Sequence, residues 1–489
     1  MFSTNAFQES PNNALLGIAQ KFILSRVLMI FAEFKLGRIL ENGPIELMDL
    51  AVKLNAHPKA LKRFLRLLTA HHIIQDLGGD CYGPTTMSHY FDKILDAKLA
   101  DDYNGLDKAL DAIKTNRSLT DVFDKSLYEY LNKYLSQSAS HSGHDLIQIA
   151  HEFILAKTVM SSAELRLDTI LRDKAISLDD ISSSTGIPSN VLKLFLQVLT
   201  RHGIVDEVKP ESYQSTSLTA FFDRILSPHI LDGYKVFNGA QHTLRTNTGA
   251  WEHVFGKSFY DYLNQDSAKL QMFKQWCVQS AIDWLPPILS LCNFPLAKTL
   301  VDVGGGGGHF LASVLQKNPH MDGVLFDQPS IIAGADKSEI FKSLRNRTRF
   351  VGGDFFKAIP QGGDIYTICR TLLNWSDEKS IEIINRCHDA MSPNSKLWII
   401  DFMVPNADHP KYPRAVINDI SLFVIFNSAI RTEQEWRTLI SKTLFSVSHI
   451  FITQEDIKPE PFYPMCIIEA LPKNTNKTPS EHNAPRCKL

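Results

Sequence analysis

The sequence lacks the marks of a membrane, secreted or nucleic-acid-coating protein. No apolar run approaches the roughly 18 consecutive residues that a membrane-spanning helix needs. The amino terminus, MFSTNAFQESPNN, has no basic stretch followed by an apolar one and does not read as a secretory leader. Its seven cysteines (Cys81, Cys277, Cys292, Cys369, Cys387, Cys466 and Cys487) form no CxxC pair and no metal-ligand spacing, so neither a disulfide framework nor a metal site is expected. A formal net charge of −2 gives no general attraction to nucleic acid or anionic lipid. These absences point to a cytoplasmic protein whose partners are small molecules or protein, with no nucleic acid and no membrane among them.

At 489 residues the chain exceeds a single core, which rarely grows beyond about 250–300 residues. It contains an internal repeat. Ile18–Leu24 (IAQKFIL) recurs 131 positions later as Ile149–Leu155 (IAHEFIL), and the offset holds without a gap through Phe91–Leu95 and Phe222–Leu226. After a one-residue slip, Ser126–Asn132 matches Ser258–Asn264, with Asp124 standing where the second copy has Gly256. Each copy reads as a long apolar helix, two shorter helices and two short extended runs, a winged-helix pattern. In the second copy Ser177 is placed to cap the helix that follows. Lys59, Lys62, Arg63 and Arg66 on the third helix of the first copy are the residues a DNA-binding role would use; a solvated, charged helix face is the simpler reading.

From about Pro286 the texture changes to short apolar runs separated by helical stretches, as in a parallel sheet with crossover helices. The runs are 299–303, 323–327, 348–351, 365–368 and 396–401, with two terminal antiparallel strands near 445–452 and 465–470. The expected organisation is therefore helical winged-helix-like domains over 1–140 and 141–285, an α/β Rossmann-like domain over 286–472, and a disordered tail over 473–489.

Between the first run and a helix lies Val301-Asp302-Val303-Gly304-Gly305-Gly306-Gly307-Gly308-His309-Phe310. Glycines let the backbone turn sharply and approach a ligand, and the helix start favours an anionic group. The spacing is not GxGxxG, because the third glycine would fall on His309 or Phe310, so a dinucleotide fingerprint is absent. Acidic residues follow at the ends of the next two runs, at Asp327 and Asp354, where open α/β sheets bind ligands.

These segments resemble the class I S-adenosylmethionine-dependent O-methyltransferases of the caffeate and hydroxyindole type, which carry a winged-helix dimerisation domain before the methyltransferase sheet. The resemblance spans residues 146–471. It rests on Trp251–Leu263 (WEHVFGKSFYDYL), Asp302–Phe310, Asp327-Gln328-Pro329, Gly353-Asp354-Phe355-Phe356, Asn374–Glu378, Arg431-Thr432 and Glu435-Trp436. It implies S-adenosylmethionine as cofactor, S-adenosylhomocysteine as product, and contacts at Asp302, Gly304, Gly306, Asp327, Gln328, Asp354, Phe355, Cys369, Arg370 and Trp375. It also implies a substrate pocket of Phe237, Trp251, Phe273, Trp276, Cys277, Asn374, Leu422, Phe423 and Phe426, suited to a flat or greasy metabolite.

The same resemblance exposes a gap in the chemistry. Family members read Arg-x-Leu-His-Asp-Trp where this chain has Arg370-Thr371-Leu372-Leu373-Asn374-Trp375, so Leu373 stands in place of the general base. The glutamate that orients that base is replaced by Ile430; only the acid Asp419 is retained. Asp419, His242 and His253 are candidate substitutes. The expected activity is O-methylation of a small aromatic or polyketide-like acceptor without the usual histidine. A non-methylating reaction of pericyclase, hydroxylase or decarboxylase type, or a catalytically silent cofactor-binding protein, would also fit the loss. The duplication suggests a monomeric pseudo-dimer in which the first copy takes a partner's place; a homodimer is the alternative.

Overall fold

The computed structural model describes residues 11–91, 94, 146–292, 294, 296–453 and 464–473. Ser126–Asn132, Asp124, the Asp92, Lys93 and Leu95 matches of the repeat, and the tail beyond residue 473 lie outside the described residues. The chain divides into two compact units: Met1–Ser280 with Val404–Ile430, and Ala281–Met403 with Arg431–Leu489. The segment Val404–Ile430, which falls inside the expected 286–472 span, thus groups with the helical unit.

In the helical unit the repeat is structural as well as sequential. The first copy runs α1 (Pro11–Glu33), α2 (Leu36–Leu40), β1 (Ile45–Glu46), α3 (Leu47–Leu54), α4 (Pro58–Ala70), β2 (Ile74–Gly78) and β3 (Cys81–Pro84). The second runs α5 (Leu146–Glu164), α6 (Leu167–Ile170), β4 (Ile176–Ser177), α7 (Leu178–Thr185), α8 (Ser189–Arg201), β5 (Val205–Lys209) and β6 (Ser212–Ser215). The small sheets have the same order, β1-β3-β2 and β4-β6-β5. Their register agrees residue for residue: Ile45 faces Tyr82 as Ile176 faces Tyr213, and the strand irregularity between Asp76 and Gly78 returns between Glu207 and Lys209.

Left-handed backbone also repeats at the 131-residue offset, at Lys35 and Arg166, Asn55 and Gly186, His72 and Gly203, and Asp80 and Glu211. These four turns define where each helix ends and where the wing reverses. The amphipathic helices α4 and α8, fourth in each copy because the short α2 and α6 intervene, bury matching faces, Phe64, Leu65 and Leu68 in one and Phe195, Leu196 and Leu199 in the other. Ser177 accepts from the Asp180 amide and so caps α7, as its sequence position suggested. The apolar helices α1 and α5 pack against each other, which joins the two copies.

In the second unit one large sheet has the order β13-β14-β11-β10-β7-β8-β9, formed by β7 (Thr299–Val303), β8 (Asp322–Asp327), β9 (Thr348–Gly352), β10 (Ile365–Cys369), β11 (Lys396–Val404), β13 (Phe445–Ile452) and β14 (Met465–Pro472). A two-residue β12 (Arg431–Thr432) adds to β11. The pairings among β7 to β11 are parallel, and β14 pairs antiparallel with both neighbours. β10 is buried along its whole length, which explains why Ile365–Cys369 carries no polar alternation. The winding reverses between β7 and β10, and that switch point is where open α/β sheets bind ligands at the strands' carboxyl ends. Among the described residues no helix is long and apolar enough to cross a membrane.

Candidate active site

At the switch point the chain leaves β7 through the glycine loop. Gly304, Gly306 and Gly308 have φ of +69°, +57° and +79°, and Gly308 immediately precedes the helix His309–Lys317. Gly305 is required for a different reason: a Cβ there would lie 2.5 Å from Asp302 Oδ2 and 2.6 Å from Leu325 Cδ1. Around Gly306, by contrast, a Cβ would meet open space.

Asp302 is fully buried on β7. Its Oδ1 accepts from Thr367 Oγ1 at 2.8 Å, whereas Oδ2 has no hydrogen-bond partner. Burial pushes this carboxyl up to about 7, the Thr367 hydroxyl opposing the shift and the nearby Asp327 adding to it. An unpartnered oxygen of this kind costs free energy unless a ligand supplies a donor. Asp327, at the end of β8, receives the Gly306 amide on Oδ2 (2.8 Å) and the Gln328 amide on Oδ1 (2.7 Å). Burial raises its pKa, with those two amides acting against it. Gln328 itself is exposed and precedes the helix Pro329–Ala335.

Asp354 is exposed after β9, its Oδ1 taking the Phe356 amide at 3.0 Å. Phe355, Phe356 and Trp375 form an aromatic triangle with ring centroids 4.9, 5.0 and 5.8 Å apart. At the end of β10, Cys369 is buried, and burial holds its thiol far above the ordinary range. Arg370 follows in left-handed backbone (φ +52°), its guanidinium over the Phe402 ring at 4.3 Å and 5.5 Å from that of Trp284. Thr371 Oγ1 then donates to the Gly304 carbonyl at 3.2 Å and ties this segment to the glycine loop.

Leu373, at the base position, is buried, and its amide donates to Asp401 Oδ2 at 3.1 Å. Asn374 is exposed. Asp401 was not singled out from the sequence, where it reads only as the polar interruption of an apolar strand. It is fully buried, accepts the Phe402 amide on Oδ1 at 2.8 Å, and is pushed up to about 7 by burial, against the amides and the charges of Arg370 and Arg431. The buried Arg431 guanidinium bonds the carbonyls of Leu372 (3.4 Å) and Trp375 (3.2 Å) and reaches Asp377 (2.8 Å). The segment is thus held by its backbone, with the charged groups spent on positioning it.

The helical unit contains the remaining expected residues. Trp251, Phe273, Trp276 and Phe426 belong to one ring cluster with His229, Phe255, Phe259 and Tyr262: Trp251 lies 4.8 Å from Phe259, Phe259 lies 5.1 Å from Phe273, and Trp276 lies 4.0 Å from His229. Phe237 is separate, packing edge-on against Phe22 at 5.3 Å. Phe423 meets Phe64 at 6.4 Å, Leu422 is half-buried, and Cys277 is exposed.

The three candidate bases have distinct surroundings. His242 and His253 stack face to face at 4.2 Å, and His242 Nε2 is 3.2 Å from Thr248 Oγ1. Burial and then the neighbouring His253 lower the His242 pKa. Asp419 is fully buried and committed to Arg63, whose Nη2 lies 2.5 Å from Oδ1, and to the Ile430 amide at 2.9 Å.

The O-methyltransferase dimerisation domain model matches residues 16–93, the first copy, and the O-methyltransferase domain model matches residues 237–446. The chain belongs to the S-adenosylmethionine-dependent O-methyltransferase family. Relatives include phenazine O-methyltransferase PhzM of Lysobacter antibioticus, 26% identical over 67% of this chain and 95% of the relative. Another is the mitomycin biosynthesis 6-O-methyltransferase of Streptomyces lavendulae, 25% identical over 63% and 89%. Among solved structures, LaPhzM superposes with a TM-score of 0.58 at 25% identity, covering 67% of this chain and 98% of that one. The neocarzinostatin O-methyltransferase NcsB1, crystallised with S-adenosylmethionine and 2-hydroxy-5-methyl naphthoic acid, shares the fold at 21% identity and a TM-score of 0.55, covering 65% and 95%.

The cofactor of this family member is S-adenosylmethionine, and the residues present suit it. The orphaned Asp302 Oδ2 offers an acceptor to an ammonium group, and the glycine loop leaves room above Gly306.

Proposed function

We propose that this methyltransferase methylates an oxygen that reaches the site already ionised, such as an acidic phenol, enol or carboxylate on a flat aromatic or polyketide-like metabolite. The carrying observation is Leu373: a buried aliphatic side chain occupies the base position, and the nearest carboxylate bonded to it, Asp401, accepts the Leu373 backbone amide. Asp419 is engaged by Arg63, which supports a structural task for it in place of proton abstraction.

When bound, S-adenosylmethionine supplies an electrophilic methyl group on a sulfonium. Asp302, Asp327 and the glycine loop hold it, Arg431 and Asp401 fix the backbone of Leu372–Trp375, and the apolar Leu373 excludes water from that position. General-base catalysis typically contributes about 10²–10⁴-fold, a loss that positioning and desolvation of an anionic acceptor can offset. Asp302, Gly304, Gly306, Asp327, Gln328, Asp354, Phe355, Cys369, Arg370 and Trp375 form the proposed cofactor set. Trp251, Phe273, Trp276, Phe426 and their ring neighbours form the proposed acceptor surface.

The same reading assigns the duplicated domains to one chain acting as its own dimer. Support comes from the matching register of the two copies and from the packing of α1 on α5.

The test is to incubate the enzyme with S-adenosylmethionine and a series of phenols of graded acidity while measuring S-adenosylhomocysteine. The expected result is turnover whose pH dependence follows the acceptor's own ionisation. Conversion of an acceptor with no S-adenosylhomocysteine formed would replace methyl transfer by a non-methylating reaction.

A further inference from the structure

Helix α4 of the first copy carries cations that the chemistry above does not use. Arg63 Nη2 bonds Asp419 Oδ1, the Asp419 carbonyl at 3.2 Å and the Ser428 carbonyl at 2.9 Å, while Nε reaches Asp419 Oδ2 at 3.3 Å. The guanidinium also lies over the Phe423 ring, 3.9 Å from its centroid, and Arg66 approaches Asp419 Oδ2 at 3.8 Å. One arginine therefore grips the helix Tyr412–Phe426 at its carboxylate and the turn after it at a carbonyl. Asp419 closes the arrangement by accepting the Ile430 amide at 2.9 Å.

That turn leads without a break into Arg431, whose guanidinium bonds the Leu372 and Trp375 carbonyls on either side of the base position. In the second copy the positions equivalent to Arg63 and Arg66 are Leu194 and Gln197, which cannot make this grip. The copies share a fold but not this task.

We propose that Arg63 is a positioning residue, through which the first copy clamps the turn Asn427–Ile430 and thereby sets the entry into Arg431. Its path is a planar guanidinium that bonds two partners at once, which an ammonium group reproduces only in part. The clamp itself stands on geometry alone; its effect on turnover rests on the methyl-transfer reading.

The full chain carrying Arg63→Ala, Arg63→Lys or Asp419→Asn tests this. S-adenosylhomocysteine affinity by calorimetry should change less than about twofold, because none of these residues belongs to the cofactor set. Amide exchange across Asn427–Ile430 should accelerate at least tenfold in Arg63→Ala and in Asp419→Asn, and less in Arg63→Lys. With 1,4-dihydroxy-2-naphthoic acid as the acceptor probe, kcat should fall at least tenfold in Arg63→Ala, with KM for S-adenosylmethionine unchanged and partial recovery in Arg63→Lys. Exchange rates equal to those of the unaltered protein would overturn the clamp. If the unaltered protein turns over neither this acceptor nor the graded phenols, the methyl-transfer reading fails, and the exchange measurement still decides the clamp. Should Arg63→Ala not fold, Arg63→Lys decides it, because Asp419 also holds the Ile430 amide directly; exchange in Arg63→Lys equal to that of the unaltered protein would then overturn the clamp.

Discussion

Lys21 and Glu152 occupy the same position in the two copies of the helical unit, 131 residues apart, and they bond each other, Nζ to Oε1, at 2.7 Å. Residues beside the axis of a twofold dimer meet their own counterparts in this way. Between identical chains that meeting would set lysine against lysine or glutamate against glutamate. Here the two copies carry opposite charges, a complementarity available only to an interface whose halves are encoded separately.

Lys21→Glu should therefore weaken the contact, and Lys21→Glu with Glu152→Lys should restore it. Both side chains are about one-third exposed (37% and 31%), so the single change is expected to cost no more than about 1 kcal/mol in denaturant unfolding. Sedimentation of the unaltered protein at micromolar concentration should give a single chain. A stable two-chain species as the only form would refute the pseudo-dimer reading.

The buried carboxyls predict proton-linked cofactor binding. Asp302 and Asp401 each have a folded-state pKa raised to about 7, so the folded state holds protons that the unfolded state has released. Their contribution is fully present below about pH 4 and is lost as pH rises through about 7. His71 and His202, lowered to about 4 chiefly by burial, act in the opposite sense, removing stability as pH falls from about 6.5 toward 4. Cofactor binding at pH 6 should release protons, visible as a buffer-dependent binding enthalpy. Asp302→Asn should abolish that release, weaken binding at least tenfold, and stabilise the cofactor-free protein at pH 8. A buffer-independent enthalpy would count against a protonated Asp302.

Two neighbouring glycines should respond differently to alanine. In Gly305→Ala the new methyl meets Asp302 Oδ2 and Leu325 Cδ1 at about van der Waals overlap, so cofactor affinity should fall by more than tenfold. Gly306→Ala meets nothing but must hold φ at +57°, a strain of roughly 1–2 kcal/mol, and should lose stability with a smaller effect on affinity. Equal losses of affinity in the two variants would show that backbone strain, not the Asp302 contact, governs the loop.

Restoring a histidine alone should not restore a base. In Leu373→His no carboxylate is left to orient the ring, since Asp401 already takes the Phe402 and Leu373 amides, so no new ionisation near pH 6–7 is expected in the rate profile. A rate limb in the single variant would mean that another group already orients the ring.

The strands of the sheet unit were legible because β7, β8, β9, β10 and β11 are short, apolar and bounded by turns, and all five emerge in the expected places. The repeat was legible because its offset is ungapped across 18–91 and its counterpart. The dipeptide strand β12 was not, since two residues carry no period. Nor were the roles of Asp401 and Asp419. A buried carboxylate is defined by which amide or guanidinium reaches it, and Arg63 lies 356 positions from Asp419, beyond any local pattern. The cation cluster on α4, readable from sequence as a solvated charged face or a nucleic-acid surface, has Arg63 and Arg66 turned to Asp419 and Lys62 to Asp80.

In a symmetric dimer any substitution in the contact between subunits enters twice, once from each side, and must be tolerable in both. The packing of α1 against α5 within one chain removes that constraint. A mutation in this contact enters once, which is what lets position 21 carry a lysine and its counterpart 152 a glutamate. The two faces of that contact are therefore two independently variable surfaces of one chain.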